Sequence, residues 1–72
     1  MNDKELEKYF GEMVRSTRNK RNISQEELAG RVGISVTYLC GIERGEYLIS
    51  WDIWLKLCKV LDLDVKIFME KV

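Results

Sequence analysis

The sequence has no histidine and no proline among its 72 residues. Histidine is the commonest general base and metal ligand near neutral pH, so its absence argues against most hydrolytic and metal-dependent enzymes. Two cysteines, Cys40 and Cys58, do not have the regular spacing of a zinc site or a disulfide framework. The carboxylates are scattered along the chain, and no glycine-rich loop is present to hold a phosphate group. We therefore expect no enzymatic activity, no metal and no cofactor.

Long apolar runs are also absent. No run approaches the roughly 20 residues of a membrane-spanning helix, and the charged start, MNDKELEK, does not resemble a signal peptide. The lack of proline suits helices joined by short turns, and 46% apolar residues are enough for one core. We expect a single soluble, cytoplasmic domain over residues 1–72, with no membrane contact and no small-molecule ligand.

A charge excess of either sign is missing too, because 12 Lys and Arg balance 12 Asp and Glu. This balance at first argues against a nucleic-acid partner, since affinity for phosphate depends on Lys and Arg. The distribution is uneven, however: residues 15–31 contain five basic and two acidic side chains. Taken alone, this run is typical of a solvated surface. The motif that follows it favours a role in phosphate binding instead.

Residues 24–45 predict two short helices joined by a tight turn. Ser24 is a good N-cap, and Glu27 three residues later completes a capping box. Gly33 is the residue type that ends a helix in the left-handed conformation, and Ser35 is a second N-cap. Two capped helices with so short a link cross at a wide angle. This is the helix-turn-helix arrangement of DNA-binding proteins.

Three further helices are expected around this motif. An amphipathic stripe predicts a first helix from about residue 3 to residue 21. The N-cap Ser50 begins a fourth helix that runs to about Leu61, where Asp62 tolerates the left-handed conformation. A short last helix follows over residues 65–71. The expected fold is all-α, a compact five-helix domain in which helices 2 and 3 form the helix-turn-helix.

Three short segments in the motif, QEELA, VGIS and IERG, resemble the helix-turn-helix domains of phage repressors, Cro and xenobiotic-response-element regulators. The segment TYLCGIERG is most similar to the small controller proteins of restriction-modification operons. The resemblance covers residues 6–69 and implies a repressor-like DNA-binding domain whose third helix enters the major groove. It also implies that Arg18 forms an ion pair with Glu43, which would hold the first helix against the third, and that Phe68 closes the core.

The outward face of the third helix is expected to read the DNA bases. Thr37 can hydrogen bond to a base edge or contact a thymine methyl group, whereas Val36 can only do the latter. Gly41 would let the helix approach closely, and Arg44 is a strong donor to guanine or phosphate. The alternative is that Val36 and Cys40 mark a protein-binding face.

A second set of residues is expected to contact the DNA backbone: Gln25, Ser35, Tyr38, Tyr47 and Arg21. The resemblance implies this role for Gln25, since the corresponding glutamine in the family contacts the backbone. A solvated first-turn residue is the alternative for Gln25. The loop after the third helix departs from the family, because Glu46 has the wrong charge for a phosphate contact.

The fourth helix is too apolar for a surface helix. It carries one stripe of Trp51, Trp54, Cys58 and Leu61 and another of Ile53, Leu57 and Val60. A small domain can bury only one stripe in its own core, and the other would form an exposed apolar patch. We expect residues 50–72 to supply a homodimer interface, with these residues favoured: Ile53, Leu57, Val60, Ile67 and Met69. The alternative is that the last helix covers both stripes.

These features together predict a sequence-specific DNA-binding transcriptional regulator. Its partners would be double-stranded DNA, as a two-fold symmetric operator, and a second copy of the chain. The alternative is a protein-interaction module on the same fold, of the antitoxin or anti-repressor type. Binding to random duplex that weakens steeply with salt would distinguish the regulator from the interaction module.

Overall fold

The computed structural model describes residues 1–71, including all their side chains except those of Phe68 and Lys71, so the expected role of Phe68 lies outside the described residues. Four helices have eight residues or more: α1 Asp3–Lys20, α2 Gln25–Val32, α3 Val36–Glu43 and α4 Trp51–Leu61. The fifth predicted helix is reduced to the six-residue segment α5, Lys66–Lys71. No strand forms within residues 1–71. The predicted all-α class is confirmed.

The helix ends follow the local chemistry of the sequence. The Oγ atoms of Ser24 and Ser35 accept hydrogen bonds from backbone N–H groups three residues later, each at 3.0 Å. Gly33 and Asp62 end α2 and α4 in the left-handed conformation, with φ of 78° and 58°. The capping box at Ser24 is only half formed, because the carboxylate of Glu27 pairs with Arg31 at 2.6 Å.

The core lies where α1, α2, α3 and α4 meet. Phe10 and Trp54 are both fully buried, and their ring centroids are 5.2 Å apart. Gly11 is buried at the crossing of α1 and α3, where a Cβ atom would overlap the carbonyl oxygen of Ile42. The two helices therefore approach backbone to backbone, which only glycine allows at this position.

The apolar residues of α4 divide differently from the predicted stripes. The buried face consists of Trp54, Leu57, Cys58 and Leu61. Leu57 was expected at the dimer interface, and this was wrong: it follows Trp54 by three residues, shares its face, and is 0% exposed. Ile53 and Val60 are half-buried along one edge of that face. Trp51 and Leu55, on the other edge, are 47% and 40% exposed.

Burial raises the pKa of the Cys58 thiol to about 11, so this group stays protonated at neutral pH.

In the described part of the chain, no helix combines the length and the apolar character that crossing a membrane requires.

Candidate nucleic-acid interface

The turn between α2 and α3 is fixed by backbone and core contacts. The N–H groups of Gly33 and Ile34 both donate to the carbonyl oxygen of Ala29, at 2.9 and 3.0 Å. Leu28 and Leu39, one from each helix, are fully buried. These contacts fix the angle between α2 and α3.

The helix α3 has one buried side and one exposed side. Leu39, Ile42 and Glu43 are buried. At 100° per residue, Val36, Thr37, Cys40 and Arg44 lie within an arc of roughly 100° on the other side. Three of these four side chains are exposed, and Cys40 is half-buried. We call this arc the reading face.

A buried ion pair holds the end of α3 against α1. Arg18 Nε donates to Glu43 Oε2 at 2.7 Å, and Arg18 Nη2 donates to Glu43 Oε1 at 3.1 Å. The two side chains are 11% and 3% exposed. Arg18 Nη1 also donates to the carbonyl oxygen of Ile23, at 2.9 Å. The expected ion pair is therefore present. Its bidentate hydrogen bonds raise the pKa of Arg18.

The ion pair extends into α2 through Gln25. Gln25 Nε2 donates to Glu43 Oε1 at 3.1 Å, and Gln25 Oε1 accepts from Cys40 Sγ at 3.3 Å. Side chains from α1, α2 and α3 thus share one hydrogen-bonded cluster, which we call the clamp: Arg18, Gln25, Cys40 and Glu43. Gln25 is half-buried, so it is not the solvated first-turn residue of the alternative, and its contact with the DNA backbone stays a prediction.

Gly41 is not on the reading face, which corrects the expectation that it approaches the bases. It is buried, and a Cβ atom there would overlap the ring of Tyr47. Tyr47 in turn packs beside Tyr38, with ring centroids 5.5 Å apart. Gly41 follows Val36 by five residues, which rotates it away from the exposed arc and towards the loop after α3.

Two of the expected arginine contacts have acidic neighbours. Arg44 Nη2 lies 3.3 Å from Glu46 Oε1, and its side chain remains 65% exposed. Arg21 Nη2 lies 3.8 Å from Asp62 Oδ2, at the C-cap of α4. Arg44 stays at the end of the reading face, whereas the structure pairs Arg21 with α4 rather than with α3.

A cleft of about 500 Å³ adjoins the reading face. Its lining comprises Arg15, Arg18, Asn19, Gln25, Cys40, Glu43 and Arg44. Arg15 and Asn19 were not among the expected site residues. The signal that points to them is helical spacing on α1, where Arg15 lies one turn before both Arg18 and Asn19.

Comparison with known proteins identifies the family to which this chain belongs. A helix-turn-helix domain family matches residues 10–66. The chain belongs to the helix-turn-helix family of DNA-binding transcription regulators. The control protein C.BamHI of Bacillus amyloliquefaciens is 41% identical over 58 residues, which cover 79% of this chain and 72% of that protein.

Two solved structures are also similar to this chain. The restriction-modification controller protein C.AhdI of Aeromonas hydrophila has a TM-score of 0.77 and 35% identity, over 83% of this chain and 91% of that one. The clp gene regulator ClgR of Corynebacterium glutamicum has a TM-score of 0.82 and 28% identity, over 89% and 68%. The resemblance to controller proteins of restriction-modification systems is confirmed.

Proposed function

We propose that the chain is a sequence-specific regulator that binds duplex DNA as a homodimer, with α3 of each copy in the major groove of a two-fold symmetric operator. The observation that carries this proposal is the reading face. Val36 and Thr37 project from a helix whose opposite side is buried and whose end is held by the clamp. A helix held so rigidly presents its side chains in one fixed arrangement, which discrimination between base pairs requires.

The side chains of the reading face favour a particular kind of readout. Thr37 can donate to or accept from a base and can contact a thymine methyl group, and Val36 can make the methyl contact. Arg44 supplies the strong donor. With so few hydrogen-bonding groups, thymine contacts and DNA shape contribute more to specificity than a dense hydrogen-bond code.

Residues at the edges of the reading face position the protein on the backbone. The Ser35 hydroxyl accepts from the Tyr38 N–H and keeps its own O–H to donate to a phosphate. Gln25 Nε2 uses one N–H for Glu43 and retains a second. Contacts of this kind fix register and orientation without reading sequence.

The proposal separates base reading from positioning, and substitutions test this division. Thr37→Ala should change the preference among sequences, by about 1–3 kcal/mol at the base pair that it contacts. Tyr38→Phe removes only a hydroxyl and should weaken binding to all sequences alike. The measurement is the Kd of each variant for a bound site and its single-base variants at one salt concentration. A uniform loss for both variants would contradict the division.

The exposed apolar side chains around α4 support the homodimer. Leu48, Trp51 and Leu55 are 42%, 47% and 40% exposed, and Trp51 and Leu55 are one turn apart on the same edge of α4. Ile53, Val60 and Ile67, which the sequence favoured, are half-buried against the core, whereas Met69 is 68% exposed. We therefore keep Met69 in the proposed interface, remove Ile53, Val60 and Ile67 from it, and add Leu48, Trp51 and Leu55.

Replacing Leu55 tests the interface directly. Leu55→Glu would place a carboxylate between two apolar surfaces in both copies, and burying an unpaired charge is costly. We expect dimerisation to weaken by more than roughly tenfold, given several kcal/mol of lost association energy. Lys56→Glu places the same side chain at the next, also exposed position and should leave the dimer intact. Sedimentation equilibrium at micromolar concentration gives the measurement, and a monomeric wild-type chain that binds a palindrome without cooperativity would contradict the proposal.

Selection of bound duplexes from a random pool tests the function as a whole. We expect a two-fold symmetric motif with half-sites about one helical turn, roughly 34 Å, apart. The protein-interaction module remains the second candidate because the same apolar side chains could bind another protein. An unenriched pool, together with little binding to random duplex at low salt, would favour that candidate.

A further inference from the structure

We infer that the cleft between α1 and α3 binds a phosphate group of the DNA backbone, with Arg15 as a contact outside the helix-turn-helix itself. This inference rests on the proposed function and extends it to α1. The first support is position. Cys40 and Arg44 line the cleft and also belong to the reading face, and Gln25 is the first residue of α2. The cleft therefore continues the surface that faces DNA.

The second support is charge. Three arginines and one carboxylate line the cleft, which leaves a surplus of two positive charges. Both oxygens of that carboxylate, on Glu43, already accept hydrogen bonds from Arg18 and Gln25. Arg44 is shared with Glu46 outside the cleft. Among the described residues of the lining, Arg15 is therefore the positive charge that no carboxylate pairs, and it is available to an anion.

The third support is the state of the side chains from α1. Arg15 and Asn19 are exposed, and within the described residues Arg15 forms no ion pair. Glu12 lies one turn before Arg15 and lines two adjoining clefts. Within the described residues Glu12 forms no ion pair either. A guanidinium group and an amide one turn apart can both donate to the oxygens of one phosphodiester.

A neutral substitution at Arg15 tests the inference. If each neutralised phosphate contributes a slope of about 0.9 to the fall of log K with log salt, Arg15→Gln should lower the slope by about that amount for each bound copy. At roughly 0.1 M salt this corresponds to an affinity loss of about eightfold per copy, the same for all sequences. Arg15→Lys keeps the charge and should retain most of the slope. The measurement is fluorescence anisotropy of a labelled mixed-sequence duplex between about 50 and 200 mM salt.

Lys4→Gln is the matched control, since it removes one exposed positive charge from the same helix about 16 Å away along its axis. It should leave the slope unchanged. Equal slopes for Arg15→Gln and Lys4→Gln, with the wild-type chain binding normally, would overturn the inference and leave the proposed function intact. Inorganic phosphate, replacing chloride at constant ionic strength, should weaken DNA binding by the wild-type chain more than by Arg15→Gln, because the free anion competes with the DNA phosphate for the cleft; an equal effect on both would also overturn the inference. A wild-type chain that binds no duplex would overturn both.

Discussion

Arg18→Ala should destabilise the domain more than any substitution of an exposed charge. The change leaves the carboxylate of Glu43, whose side chain is 3% exposed, with Gln25 as its remaining side-chain partner. Removal of one member of a buried ion pair typically costs about 3–5 kcal/mol, a large fraction of the 5–15 kcal/mol that holds a domain together. Urea denaturation at constant pH measures the loss. Arg18→Lys keeps the charge but not the bidentate geometry. Its free energy of unfolding should lie between those of the wild-type chain and Arg18→Ala.

The matched control is Arg31→Ala. Arg31 also forms an ion pair, with Glu27 at 2.6 Å, but the two side chains are 53% and 45% exposed. Exposed pairs of this kind contribute about 0–1 kcal/mol. If Arg18→Ala and Arg31→Ala reduce the free energy of unfolding equally, the clamp does not stabilise the domain as described.

Gly11→Ala should also be strongly destabilising, although alanine favours helices. The added Cβ would overlap the carbonyl oxygen of Ile42, a backbone atom that cannot rotate away. Overpacking costs about 1–3 kcal/mol and sometimes more, and overlap with a backbone atom places Gly11→Ala at the upper end, above the gain of about 1 kcal/mol from helix propensity. Relieving the overlap requires α1 to move away from α3. Thermal denaturation measures the loss, and weaker DNA binding should accompany it.

Gly30→Ala provides the comparison for Gly11→Ala. Gly30 is exposed within α2, and apart from its chain neighbours and the adjoining helix backbone no atom lies within 4 Å of the position that its Cβ would take. Alanine should therefore raise the free energy of unfolding here by about 0.4–1 kcal/mol. The same chemical change is expected to lower the free energy of unfolding at Gly11 and to raise it at Gly30. This difference separates the packing effect from helix propensity. A stabilising Gly11→Ala would show that the two helices tolerate a wider spacing.

Much of the local structure could be predicted because it depends on short-range chemistry. Ser24, Ser35 and Gly33 act within four residues of themselves, so the sequence alone identifies the two helix starts and the turn between them. The partner of Arg18 lies 25 residues away. It was expected only through the resemblance to a family, since no local pattern pairs the two.

The errors arise where the outcome depends on how helices rotate against each other. Leu57 and Cys58 fit opposite stripes in the sequence, but a rotation of α4 that buries Trp54 buries both. Arg15 was missed for a related reason. Its importance depends on a cleft that exists only once α1 and α3 have packed, and the charge pattern alone does not show which arginines share a surface.

The ring of Tyr47 packs over Gly41 and so couples the loop after α3 to the helix itself. Any larger residue at position 41 displaces that ring, and the ring is also the neighbour of Tyr38. A new side chain at position 41 therefore requires either that the exposed ring of Tyr47 turn aside or that a smaller residue replace it. The two positions should consequently vary together during evolution or in a redesign library. Positions 36 and 37, where both side chains are exposed, can change one at a time.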